Sequence, residues 1–144
     1  MPSPDEEELR FTEDGGCFGC SHSNPLGLHL TFRRRGDVIA TRYTIPDQFH
    51  GAPGVAHGGI VATLLDEVSC AAVFFVGNRH VVTGELTVRY ERPCPVERPL
   101  DVSARVVGEH PRYLVVEGIV YEGEAVLARS SGKFFPQQRP ESAP

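Results

Sequence analysis

The sequence predicts an α+β domain in which a curved antiparallel sheet of about six strands wraps around one long central helix. Two observations predict it. A single run, from Gly58 to about Phe75, repeats its apolar residues at helical spacing, whereas six other segments alternate as strands. One helix is then all that can cover the sheet, and the economical packing curves the sheet around it. The 144 residues are enough for one ordinary domain with a real core.

Residues 1–14 are acidic and rich in Pro and Glu, and are expected to be a mobile N-terminus. Residues 15–136 form the domain, and 137–144 a mobile tail. Leu28–Arg34 and Asp37–Thr44 read as strands flanking a hairpin turn at Arg35-Gly36. The basic run Arg33-Arg34-Arg35 reads as a solvated strand end. A Gly/Pro-rich loop from Phe49 leads into His57-Gly58-Gly59, where the helix starts, and Gly77-Asn78 is its stop signal. His80–Arg92 alternates, with Val82, Gly84, Leu86, Val88 and Tyr90 on one face and Thr83, Glu85, Thr87 and Arg89 on the other. Pro93 and Pro95 end that strand. Leu100–Gly108, Tyr113–Tyr121 and Ala125–Phe135 supply three more.

The helix is the informative element. Ile60, Val61, Leu64, Leu65, Val68, Ala71, Ala72 and Phe75 form one broad apolar stripe. The opposite face holds Ala62, Thr63, Asp66, Ser69, Cys70, Val73 and Phe74, and no Lys or Arg occurs from Tyr43 to Asn78. A helix apolar nearly all round is buried nearly all round, by the sheet on one side and most simply by a second subunit on the other. Asp66 sits on that second face. The residues alone leave two roles open for it, a general base or nucleophile and a structural carboxylate. Glu67, at the edge of the stripe, reads as structural. The first free N–H groups of the helix suit a carbonyl oxygen or an anion.

Composition narrows the function. A net charge of −5 argues against binding nucleic acid by phosphate neutralisation. No apolar run is expected to approach the roughly 20 residues of a membrane span. The acidic start does not resemble a signal peptide, so a cytoplasmic protein with four reduced cysteines is expected.

Three blocks of residues resemble the hotdog-fold acyl-CoA thioesterases, specifically the PaaI-like branch. They are Cys17-x-x-Cys20 with Asn24-Pro25-x-Gly27-Leu28; Phe49-x-Gly51-x-Pro53-Gly54-x-x-His57-Gly58-Gly59 followed by Asp66; and Val82-Thr83-Gly84-Glu85-Leu86 running to Arg92-Pro93. The resemblance implies a hotdog fold and hydrolysis of an acyl- or aroyl-CoA thioester. It implies that Asp66 is the catalytic carboxylate, and that Gly59 or Gly58 polarises the carbonyl through its backbone N–H. It further implies that His57 orients the thioester or the loop, and that Thr83 lies near the attacking water. Such sites form between two subunits, so a homodimer or dimer of dimers is implied. Some relatives carry an Asn six residues before the histidine; here that position is Gly51, with His50 beside it.

Other readings are weaker. Cys17 and Cys20, with His22 behind them, offer too few ligands for zinc, which takes four, so no metal and no cofactor is expected beyond coenzyme A as part of the substrate. A thioredoxin-like role lacks its βαβ context. Cys70 and Cys94 read as packing. Asn24-Pro25 with His29 only faintly echoes a hotdog hydratase or dehydratase. A non-catalytic acyl-CoA sensor would have no need of His57-Gly58-Gly59 and Asp66 together. The reading reached is an acyl-CoA thioesterase in which Gly59 N–H polarises the carbonyl and Asp66 attacks it or activates water. Arg79, Arg89, Arg92 and Arg112 are the candidates for coenzyme A phosphates.

Overall fold

A computed structural model describes residues 7–9, 11 and 15–137. The remainder of the segments expected to be mobile, at both ends, lies outside the described residues. The elements run β1 (Glu7–Leu9), β2 (Phe32–Arg35), β3 (Val38–Thr44), α1 (Gly58–Gly77), β4 (Val81–Tyr90), β5 (Pro99–Glu109), β6 (Leu114–Glu122) and β7 (Ala125–Pro136). All pairings are antiparallel, in one sheet of order β1-β2-β3-β5-β6-β7-β4.

The helix and the curved sheet are as expected, but the sheet has seven strands. The added one, β1, lies in the segment set apart from the domain, and pairs with β2 through Glu7↔Arg34 and Leu9↔Phe32. Phe11 just after it packs on Phe74 and Phe75 of α1, with ring centroids 4.7 and 4.9 Å away. The acidic composition hid these two apolar side chains, Leu9 and Phe11. Strand β2 is also shorter than expected at its start. Leu28 N–H and Leu30 N–H donate instead to Phe18 and Gly19 carbonyls, so those residues hold the Cys17–Cys20 loop in place.

Leu64, Leu65, Val68, Ala71 and Ala72 of α1 are fully buried in one core with Leu100, Val102, Val116, Val120 and Phe134 of the sheet. Twenty residues long, α1 is by length and composition apolar enough to cross a membrane, contrary to the sequence expectation. Its apolarity has a local cause: the sheet wraps one side, and Phe11 and the Cys17–Cys20 loop cover part of the other. Arg34 ends the helix by donating to the Phe75 carbonyl at 3.0 Å, so this member of the basic run caps a helix C-terminus. Gly118 sets how closely helix and sheet approach. A Cβ there would stand 2.7 Å from Ser130 Oγ and 3.1 Å from Leu65 Cδ2. Gly118→Val is therefore expected to lower unfolding stability by about 2 kcal/mol through overpacking, measured by urea denaturation.

Candidate active site

His57 is the N-cap of α1. Its Nδ1 accepts the Gly59 N–H at 2.9 Å, and its carbonyl accepts the Ile60 N–H at 2.9 Å and the Val61 N–H at 3.3 Å. A ring nitrogen that accepts from a backbone N–H carries no proton, so the neutral ring's proton is on Nε2. The Gly59 N–H, the donor expected to polarise a carbonyl, is thus already engaged. Gly58 N–H is left without an acceptor among the described residues. Tyr90, at the end of β4, donates its hydroxyl to the Gly58 carbonyl at 2.6 Å. The Gly58–Gly59 peptide is therefore gripped at both ends, in the order Tyr90 O–H to carbonyl, then N–H to His57 Nδ1.

Two turns further along α1, Asp66 Oδ1 accepts the Thr83 hydroxyl at 2.5 Å. The Thr83 oxygen is also 3.7 Å from Cys70 Sγ. Simple alternation placed Thr83 on the face opposite Leu86 and Val88. The register of β4 on β7 shifts between Thr83 and Glu85, and this bulge turns Thr83 to the helix side, with Leu86, Val88 and Tyr90. Gly84 allows it: the Phe135 ring lies 2.2 Å from where a Cβ would be.

The remaining candidates fall elsewhere. Gly51 lies against His57, so that a Cβ there would stand 3.4 Å from the His57 Cα, whereas His50 turns its Nδ1 to the Asp47 carbonyl at 2.5 Å and does not replace an Asn at position 51. Burial, reinforced by the Asp66 charge, pushes the Cys70 thiol up to about 12, so it holds its proton at neutral pH. Glu67 points at the N-terminal loop, where Cys17 Sγ donates to it. Burial foremost, then the Asp66 charge, holds the Glu67 carboxyl above its usual range. Beside the helix N-terminus, a cleft of about 370 Å³ is lined by Val55, Val61, Tyr90, Arg92 and Cys94. Arg92 is the one of the four candidate arginines that lines it. Sequence reasoning missed the role of Tyr90; the available signal was an amphipathic side chain closing a strand just before Pro93.

One distance decides what this chain can do alone. Gly58 and Asp66 are eight residues apart on one helix, about 12 Å along its axis. N–H groups of the first turn point back along the axis, away from Asp66. A donor and an attacking group that meet one carbonyl stand at most about 7 Å apart, from a hydrogen bond near 3 Å and an attack distance near 3 Å. For attack by Asp66 itself, one chain therefore does not bring both to the same carbonyl.

A sequence model of the thioesterase superfamily matches residues 53–128. The human acyl-coenzyme A thioesterase THEM5 is 30% identical over 96 residues, which cover 65% of this chain and 38% of that protein. The chain spans about half or less of the length of the curated relatives it matches. Among solved structures, a thioesterase superfamily protein, RHA08564, superposes with a TM-score of 0.71 at 25% identity, over 78% of this chain and 55% of that one. The protein smu.793 from Streptococcus mutans, solved bound to acetyl CoA, superposes with a TM-score of 0.66 at 21% identity, over 72% of this chain and 83% of that one. These likenesses are to the hotdog fold.

The Tyr90 grip is open to test without any substrate. In Tyr90→Phe, the His57 ring should lose its fixed tautomer, read as a move of its two nitrogen-15 shifts towards each other. Stability should fall by about 1 kcal/mol. Unchanged nitrogen shifts would show that the His57 ring is set without Tyr90.

Proposed function

We propose that this chain, which belongs to the thioesterase superfamily, is an acyl-CoA thioesterase that hydrolyses an acyl or aroyl thioester to the free acid and coenzyme A. The observation that carries this reading is the unengaged Gly58 N–H at the start of α1 in a fold that also presents Asp66 held by Thr83. The relative named an acyl-coenzyme A thioesterase supports it.

The thioester carbonyl oxygen accepts from Gly58 N–H, where the helix dipole favours the negative charge that develops on that oxygen. The Nε2–H of His57 faces outward as a second donor that orients the thioester. Thr83 occupies Asp66 Oδ1 and leaves Oδ2 to act. Through Oδ2, Asp66 takes a proton from water as the water oxygen bonds to the carbonyl carbon, or attacks that carbon itself to give an anhydride that water then opens. In either route the C–S bond breaks and coenzyme A leaves as its thiolate. The reaction so drawn uses no metal and no redox cofactor. The cleft beside Tyr90, with Arg92 at its wall, is the approach for the substrate.

Because one chain's Gly58 and Asp66 are too far apart, the site takes Gly58 and His57 from one copy and Asp66 and Thr83 from another. Strand β4 suits the contact. It pairs only with β7, so its other edge is free among the described strands, and Val82 and Tyr90 along it are half exposed.

A panel of short, long and aromatic acyl-CoA thioesters, followed by thiol release, tests the activity; saturable binding with no release from any of them would end the enzyme reading. Asp66→Asn should lower kcat at least about 100-fold with the fold intact by circular dichroism. Thr83→Val should lower it about tenfold, the worth of one hydrogen bond to a charged group.

A further inference from the structure

The cysteine motif is not used by this chemistry, and the fold gives it a third member. Cys17 Sγ lies 3.6 Å from Glu67 Oε1 and 3.8 Å from Oε2. One ligand atom from each of Cys17, Cys20 and Glu67 lies within 4.8 Å of the others. The Cys17–Glu67 separation is the one a metal needs: with Zn–S of about 2.3 Å and Zn–O of about 2.0 Å, neighbouring ligand atoms of a tetrahedron stand roughly 3.5–3.8 Å apart.

The surrounding sequence builds the loop for this contact. Asn24 donates its side-chain amide to the Gly16 carbonyl at 3.1 Å and accepts the Leu26 N–H at 3.0 Å. Leu28 and Leu30 tie down the Phe18 and Gly19 carbonyls. Gly19 has no room for a side chain, since a Cβ would fall 2.2 Å from Glu67 Cδ. Glu67 is half-buried, and no Lys, Arg or His pairs with it among the described residues. A carboxylate aimed at two thiols and given no cation is a ligand set of mixed thiolate and oxygen character.

We propose that Cys17, Cys20 and Glu67 bind one zinc-class divalent ion, with solvent in the fourth position, as a clip between the N-terminal loop and α1. Zinc was not expected from the sequence because two cysteines and His22 were the only ligands in view. The fold leaves His22 tilted against His29, with ring centroids 5.8 Å apart, and brings in Glu67 from 47 residues beyond Cys20. Binding displaces the two thiol protons into solvent, and the carboxylate coordinates as its anion. The ion holds two segments together and takes no part in the hydrolysis proposed above.

The test uses the whole chain, stripped of metal under reducing conditions and titrated with Co²⁺. One equivalent should produce a thiolate-to-cobalt charge-transfer band and the intense visible bands of tetrahedral cobalt, and Zn²⁺ should bleach both. Competition with a chromophoric chelator should show Zn²⁺ binding weakened at least about tenfold in Cys17→Ser, Cys20→Ser and Glu67→Gln, with each fold checked by circular dichroism. Absence of the charge-transfer band in the unsubstituted protein overturns the proposal, whatever the variants do. So does unchanged Zn²⁺ affinity in folded Glu67→Gln, which would reduce the cluster to a dithiol.

Discussion

Helix α1 carries Asp66 and Glu67 and no lysine or arginine in 20 residues, so water can solvate very little of it. Each large apolar side chain on it contributes roughly 1.5–3 kcal/mol only if something covers it. The sheet covers Leu64, Leu65, Val68, Ala71 and Ala72. The N-terminal segment covers Phe74 and Phe75 through Phe11, and Glu67 through the Cys17–Cys20 loop. What remains is a half-exposed strip containing Ala62, Thr63, Asp66 and Cys70. Asp66 and Thr63 lie in that strip, which nothing among the described residues closes.

The start of the same helix shows how a polar end is prepared for a ligand. Capping by Ser or Asp would also satisfy a first-turn N–H, but His57 does so with a ring that keeps a second donor free. Tyr90 then ties the Gly58 carbonyl to β4, so the strand that brings Thr83 to Asp66 also braces the helix N-terminus. One edge strand therefore positions both halves of the site, although they lie two helical turns apart. The two-copy site proposed above rests on that separation, not on any weakness of the single chain's core.

Much of this was legible in the sequence. The helix, its stop at Asn78 and six of the strands follow from periodicity and turn residues, and the family motif singled out His57, Gly58, Gly59, Asp66 and Thr83. What escaped was decided by contacts between distant segments. Gly84 looks like one more position in an alternating strand until Phe135 occupies its Cβ site and turns Thr83 towards Asp66. Gly59 and Gly58 are equivalent as letters, and only the direction of the His57 ring separates an engaged N–H from an open one. Glu67 and Cys17 lie 50 residues apart, and no local pattern pairs them. The second face of α1 was assigned wholly to a partner because Leu9 and Phe11 were hidden in an acidic stretch.

The two-copy site has a direct test. Asp66→Asn and Gly58→Val are purified separately with different tags, then unfolded and refolded together, and dimers carrying both tags are confirmed by sequential capture. A dimer of one chain of each kind has one intact site, made of Gly58 from the first chain and Asp66 from the second. Each variant alone should hydrolyse acyl-CoA at about 1% of the unsubstituted rate or less. The co-refolded mixture, half of it mixed dimers with one good site in two, should recover about a quarter of that rate. Activity in the mixture no higher than that of the two variants apart, with mixed dimers present, would contradict a site shared between chains.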